Sequence, residues 1–157
     1  MLMYLSSNER TNLLDFLEDS QGILPKKLTG KFSLKQCIIR DFRNYAHCRY
    51  LVVDRAAVME IDSDLIEAVQ SYSMMHTARF ILIAEGLSHD DTLIHQLIMA
   101  GVHNIVTAGD IETIRGELLE CLSETGMRRY RDNAVEAPVQ APGLEQYRFS
   151  ARNVRIA

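Results

Sequence analysis

The chain lacks most of the features that would announce a chemistry. Only three cysteines occur, Cys37, Cys48 and Cys121, and no two of them form a Cys-x-x-Cys pair. An odd, unspaced set argues against a disulfide framework and a zinc site, and suits a reducing cytoplasm. There is no glycine-rich phosphate loop, neither G-x-G-x-x-G nor G-x-x-x-x-G-K-[ST]. No apolar run approaches the roughly 18 residues needed to cross a bilayer. Met1–Leu5 is too short for a signal peptide and has no basic flank. Two of the three prolines fall within residues 132–146. These absences lead us to expect a soluble, cytoplasmic protein with no membrane span, no metal and no cofactor.

What is present is ordinary in amount and uneven in placement. At 157 residues, 47% hydrophobic and 24% charged, the chain is one domain in size and can bury roughly two-thirds of its unfolded surface. The net charge of −4 conceals a division. Residues 127–157 carry six arginines against three acids, whereas residues 1–126 carry 11 basic and 18 acidic side chains. An acidic body is a poor match for a phosphodiester backbone, so no nucleic-acid partner is expected.

The organising stretch is Tyr50-Leu51-Val52-Val53-Asp54, a short apolar run without alternation that ends in a carboxylate. Such a run predicts a strand buried on both faces of a parallel sheet. Phe80–Ile83 and Asn104–Thr107 have the same texture, and Met1–Leu5 predicts a first strand. Helical spacing separates them. Leu13, Leu14, Phe16 and Leu17 define one helix from Asn8 to a stop at Gly22. Ser33 and Gln36 form a capping box for a second helix carrying Leu34, Cys37, Ile38, Phe42, Tyr45 and Ala46. Asp62 or Ser63 caps a third with Leu65, Ile66, Val69 and Tyr72 inward. Ser88–Asp91 opens a fourth holding Leu93, Ile94, Leu97 and Ile98, stopped by Gly101. Asp110 caps a last helix through Ile114, Leu118 and Leu122, closing near Gly126. Residues 23–30, with Pro25 and two lysines, are either an edge strand or a loop. The alternation predicts a flavodoxin-like α/β/α sandwich with a five-stranded parallel sheet in the order 2-1-3-4-5.

Past residue 126 the periodicity ends. Residues 127–146 are expected to be a linker. Residues 147–157, with Tyr147, Phe149 and Val154–Ala157, are strand-like again. They are either the first strand of a further domain or a tail folding back on the same molecule.

In such a sheet, ligands bind beyond the carboxyl ends of the strands. Those ends are Ser6–Asn8, Asp54, Ala84–Glu85 and Thr107–Ala108. Element order, Asp54 closing the third strand, and the passage Ala100-Gly101-Val102-His103-Asn104-Ile105-Val106 together resemble the receiver domains of two-component signalling, over residues 1 to about 125. The resemblance implies a phosphoacceptor at Asp54 and a Mg²⁺ held by acids at the end of the first strand. Ser6 and Ser7 stand at that end instead, and Glu9 comes one or two residues late, on the first helix. The family's hydroxyl after the fourth strand is Ala84 here, and its lysine on the fifth is Thr107, followed by Ala108. The pattern is that of a pseudo-receiver, in which Asp54 satisfies turn N–H groups.

Other polar residues form no site. His89, His95 and His103 are spaced by six and eight, which does not place two on one helical face for a metal. Adjacent residues such as His47 and Cys48 point apart at a helix end. Met74, Met75 and Met99 are either core filling or an adaptable interface. The expected function is therefore non-enzymatic: a protein–protein interaction or localisation module acting by self-association, a homodimer included, or by docking a partner. In receivers the face of helix four, strand five and helix five carries such contacts, which here implies His95, Gln96, Met99, His103 and exposed positions of 111–122. Pseudo-receivers of this kind resemble those N-terminal to MinD/ParA-type ATPases, including pilus-assembly and localisation proteins. By that resemblance Val154–Ala157 would feed a P-loop downstream. The alternative is a phosphorylatable receiver using Asp54.

Overall fold

A computed structural model describes residues 1–41 and 48–130. Phe42, Tyr45, Ala46, His47, residues 131–146 of the linker expected over 127–146, and the tail expected over 147–157 lie outside the described residues. Residues 1–127 form one compact unit, to which the following description is confined.

Five parallel strands make the sheet: β1 (Leu2–Ser6), β2 (Pro25–Thr29), β3 (Tyr50–Asp54), β4 (Arg79–Ile83) and β5 (Ile105–Val106). Their order is β2-β1-β3-β4-β5, the arrangement the alternation predicts. The reason is visible in burial. All five residues of β1 and the last four of β3 and of β4 are buried, so each central strand is covered on both faces. The uncertain segment over 23–30 is the edge strand β2, with Pro25 at its first residue, where a missing N–H is tolerated.

The helices are α1 (Phe16–Gln21), α2 (Leu34–Gln36, continued by a π-turn over Cys37–Asp41), α3 (Asp62–Met75), α4 (Thr92–Met99) and α5 (Ile111–Leu122). Three begin or end as their sequences predict. Asp91 accepts the Leu93 N–H at 2.9 Å, Asp110 accepts the Thr113 N–H at 3.0 Å, and Gly22 takes φ +67° at the end of α1.

Three expectations are corrected. The first helix does not start at Asn8: residues 8–15 form a 3-10 turn and successive i→i+3 bonds, such as Arg10 N–H to Ser7 C=O at 3.2 Å and Leu13 N–H to Arg10 C=O at 3.1 Å. The Tyr4 hydroxyl grips the Arg10 carbonyl at 2.8 Å and holds this stretch to the sheet. Glu9 consequently lies in that turn, exposed, and not on α1. At α3 the N-cap is Ile61, because Asp62 is turned to the Arg55 guanidinium at 3.0 Å.

The third correction concerns the capping box. Ser33 Oγ does accept the Gln36 N–H, at 3.4 Å, but Gln36 Oε1 accepts from Arg40 at 3.0 Å instead of reaching back. The orphan N–H groups of Leu34 and Lys35 go to the Glu60 carboxylate, at 3.0 and 2.9 Å, across 26 and 25 residues of chain. A parallel bridge between Phe32 and Val58 brings the two loops together.

At the opposite end of the sheet, Arg79 closes α5. Its guanidinium donates to the carbonyls of Cys121 (2.7 Å), Ser123 (2.6 Å) and Glu124 (2.9 Å), a cation placed where a helix C-terminus favours one. Asn104 Oδ1 accepts the Met127 N–H at 2.9 Å beside Gly126. Gly126 has φ +74°, and a Cβ there would sit 2.8 Å from Asn104 Oδ1.

Two stability outcomes follow from these clamps. Gly126→Ala should lower unfolding free energy by about 1–3 kcal/mol in denaturant titration, whereas Gly116→Ala, inside α5 with nothing within 4 Å of its Cβ, should not lower it. Glu60→Gln should remove an acid-sensitive contribution. Partial burial pushes the Glu60 carboxyl up, but the Lys35 and Leu34 N–H donors outweigh it and hold the group below its usual 4.5. That contribution is complete above about pH 4.5 and fades as pH falls below it. Melting curves at pH 7 and pH 3.5 should therefore converge for wild type and Glu60→Gln at the lower pH; parallel curves would contradict the assignment.

Candidate functional site

Parallel strands end together, so the β1, β3 and β4 termini gather Ser7, Asp54 and Ala84 at one rim. Asp54 is 2% exposed. Its Oδ2 accepts the Ser7 hydroxyl at 2.6 Å and the Ser7 N–H at 3.3 Å, and its Oδ1 accepts the Ala56 N–H at 3.0 Å. The last bond makes Asp54 the cap of the 3-10 turn Arg55–Ala57. A turn-satisfying role for this carboxylate is thus present in the geometry.

A cation stands beside it. Arg10, in the 3-10 turn after β1, places Nη1 3.9 Å from Asp54 Oδ2 and Nε 2.6 Å from Glu85 Oε1. The Glu85 hydrogen bond, the largest cause, and the Asp54 charge raise the affinity of this guanidinium for its proton above the ordinary arginine value. Burial first, and then Asp54, push the Tyr4 phenol up as well, so it stays neutral and donates to the Arg10 carbonyl. Magnitudes rank these contacts. A hydrogen bond from Ser7 to a buried carboxylate is worth about 1.5–3 kcal/mol, whereas a half-exposed ion pair at the limit of contact is worth about 0–1 kcal/mol. Ser7 is the principal partner of Asp54, and Arg10 the secondary one.

The remaining expected positions are dispersed. Ser6 is buried but turns to β2, its hydroxyl 3.1 Å from that of Thr29. Thr107 is buried and gives its N–H to Glu117 Oε1 of α5 at 3.0 Å, with Ala108 N–H at 3.2 Å on the same oxygen. Ala84 lines a cleft of about 340 Å³ with Asp54, Arg10, Arg55 and Glu85. Arg10 and Glu85 also line a second cleft, of about 350 Å³, reaching Ile111 and Arg115.

On α4, His95, Gln96 and Met99 share the exposed side, Met99 at 84%. His103 is half-buried in the turn before β5, lining a small cavity at the opposite end of the sheet from Asp54. Met74 and Met75 are exposed too, at 88% and 56%, so the core alternative for the three methionines is wrong. His89 is exposed, and Cys48 Sγ donates to the Tyr50 carbonyl at 2.9 Å. Among the described residues no group of three His, Cys, Asp or Glu side chains could hold a metal ion. No helix among them is long and apolar enough to cross a membrane.

Arg10 and Glu117 were not foreseen, and Glu85 was placed at a strand end without its partner. Periodicity carries no signal for them, because their roles depend on which loops meet across the sheet. A basic residue one short turn beyond the first strand was the available clue.

No family model matches the chain, and no curated protein matches it. A solved structure does: that of CpaE from Burkholderia thailandensis E264, a protein assigned to pilus assembly. It superposes with a TM-score of 0.54 at 15% identity, over 76% of this chain and 95% of that one. The likeness is one of fold. With the all-parallel 2-1-3-4-5 sheet, it gives residues 1–127 a flavodoxin-like α/β fold.

The Asp54 cluster yields its own test. Ser7→Ala should destabilise the fold by about 1–3 kcal/mol, and Asp54→Asn by a similar amount. In a double-mutant cycle the double variant should lose at least about 0.5 kcal/mol less than the two single losses added together. Additive losses would mean that the two side chains do not share the bond.

Proposed function

We propose that this chain is a non-catalytic, receiver-like module that works through its surface, as a protein–protein interaction or localisation element. The observation that carries the reading is the occupancy of Asp54. Both carboxylate oxygens already accept hydrogen bonds from the chain itself, and a guanidinium stands at 3.9 Å. The receiver family's phosphoryl transfer uses a hard dication, which wants several carboxylate oxygens. The residues at this rim do not fit one: Ser7 spends its hydroxyl proton on Asp54, Ser6 turns to Thr29, and Arg10 brings a positive charge. A fold emptied of its chemistry retains its surfaces as its useful part. The likeness to a protein assigned to pilus assembly supports a role of this kind, as the regulatory part of a MinD/ParA-type ATPase.

The interaction face in this reading is the exposed side of α4 with the turn to β5: His95, Gln96, Met99 and His103. Two histidines and a flexible thioether suit an adaptable contact more than a fixed polar site. Whether the partner is a second copy or another protein is decided by sedimentation of the full chain. Self-association should appear in the micromolar range and weaken at least about tenfold in Met99→Glu. A strict monomer at high micromolar concentration leaves hetero-docking alone.

The second reading, a phosphorylatable receiver, is favoured by one observation: Asp54 closes β3 at the rim of a cleft. Incubation with acetyl phosphate and Mg²⁺ followed by intact mass separates the two. The first reading expects no adduct; an adduct lost in Asp54→Asn would replace it with the second.

A further inference from the structure

We propose that the open edge of β2 is a docking site for an acidic, extended protein segment, which joins the sheet as an additional strand. The charge distribution is the first support. Between Asp19 and Asp41 the chain holds five basic residues and no acid, on a body where acids outnumber bases. Lys26, Lys27, Lys31, Lys35 and Arg40 are all exposed. Lys27 pairs with Asp15 at 2.9 Å, but Lys31 donates to the Ala56 carbonyl and Arg40 to Gln36 Oε1, neutral acceptors that leave those charges uncompensated by the bond.

The backbone is the second support. Gly30 N–H meets the Ser6 carbonyl at 2.9 Å, on the β1 side. Alternation then turns Leu28 and Lys26 towards β1, and Lys27 and Thr29 away from it. Their N–H and C=O groups face the open edge, which no strand among the described residues pairs. Pro25 falls on the same outward side, so its missing N–H removes no bond to β1. Leu24, 70% exposed immediately before the strand, offers an apolar anchor.

Lysine and proline on an edge strand also act as a guard against unwanted pairing. Here the guard discriminates. A second β2 alongside would set lysine against lysine, whereas a strand with carboxylates along one face meets an ammonium on that face. A broad polyanion is disfavoured, because Asp15, the exposed partner of Lys27, brings negative charge to the strand. A narrow peptide strand meets the lysines and the backbone together.

The probe is an eight-residue peptide of alternating glutamate and valine, titrated against the full chain at low salt by fluorescence anisotropy. Saturable binding is expected, reduced at least about tenfold in the double variant Lys26→Glu/Lys27→Glu and weakened by salt. Lys27→Pro should lose more than Lys27→Gln, since it removes an outward N–H as well as the charge. The same peptide N-methylated at alternate backbone nitrogens, used on the unaltered protein, should fail to bind, and this arm stands even where a variant misfolds. The proposal is overturned by absence of binding, by equal binding of the methylated peptide, or by tighter binding to phosphatidylserine vesicles or oligo-dT. Aggregation of the charge-reversed variant without any change in peptide binding would leave the lysines as a guard only.

Discussion

The structure depends on a single constraint: β1 and β3 are parallel neighbours covered on both faces. Parallel strands cannot be joined by tight turns, so each connection crosses the sheet and carries a helix with it. Those connections bury Leu14 and Leu17 on one crossing, Leu65, Val69 and Tyr72 on another, and Leu93, Ile94 and Leu97 on a third. The same constraint sends every strand's carboxyl terminus to one rim. Ser7, Asp54, Ala84 and Thr107 are neighbours of that rim because of pairing register, far apart though they are in the chain.

That rim has to accommodate a buried carboxylate, Asp54. A charge 2% exposed has to be compensated. Compensation comes from the chain's own groups: one hydroxyl, two backbone N–H groups and a guanidinium. Arg10 is itself tethered twice, through its side chain to Glu85 and through its carbonyl to Tyr4. The β1, β3 and β4 loops are thereby linked into one polar network. Glu117 does similar work at the next loop, accepting two N–H groups after β5.

The other end of the sheet is closed by a different device. Arg79 begins β4 and satisfies three carbonyls at the end of α5, while Asn104 takes the Met127 N–H. Tyr50 contributes its hydroxyl to the Leu122 carbonyl at 3.3 Å, with the Arg79 guanidinium 5.7 Å from its ring centroid. Helix carbonyls left without partners are costly when buried, and a forked cation satisfies several at once.

Sequence alone determined the layers. Runs such as Leu51–Val53 are too short and too uniformly apolar for anything but a strand buried on two faces, and caps such as Asp91 and Asp110 act locally, within three residues. Local chemistry is legible because its partners are adjacent in the chain. Tertiary structure decided the rest: that Glu60 and not Gln36 completes the α2 cap, that Asp62 serves Arg55, and that Arg10 stands beside Asp54. It also decided that Met74, Met75 and Met99 face outward, which composition left open. The physical reason is common to all of these. The contacts join segments brought together by strand order and register, the methionines face outward because of which helix side the sheet covers, and no periodicity within one segment encodes either.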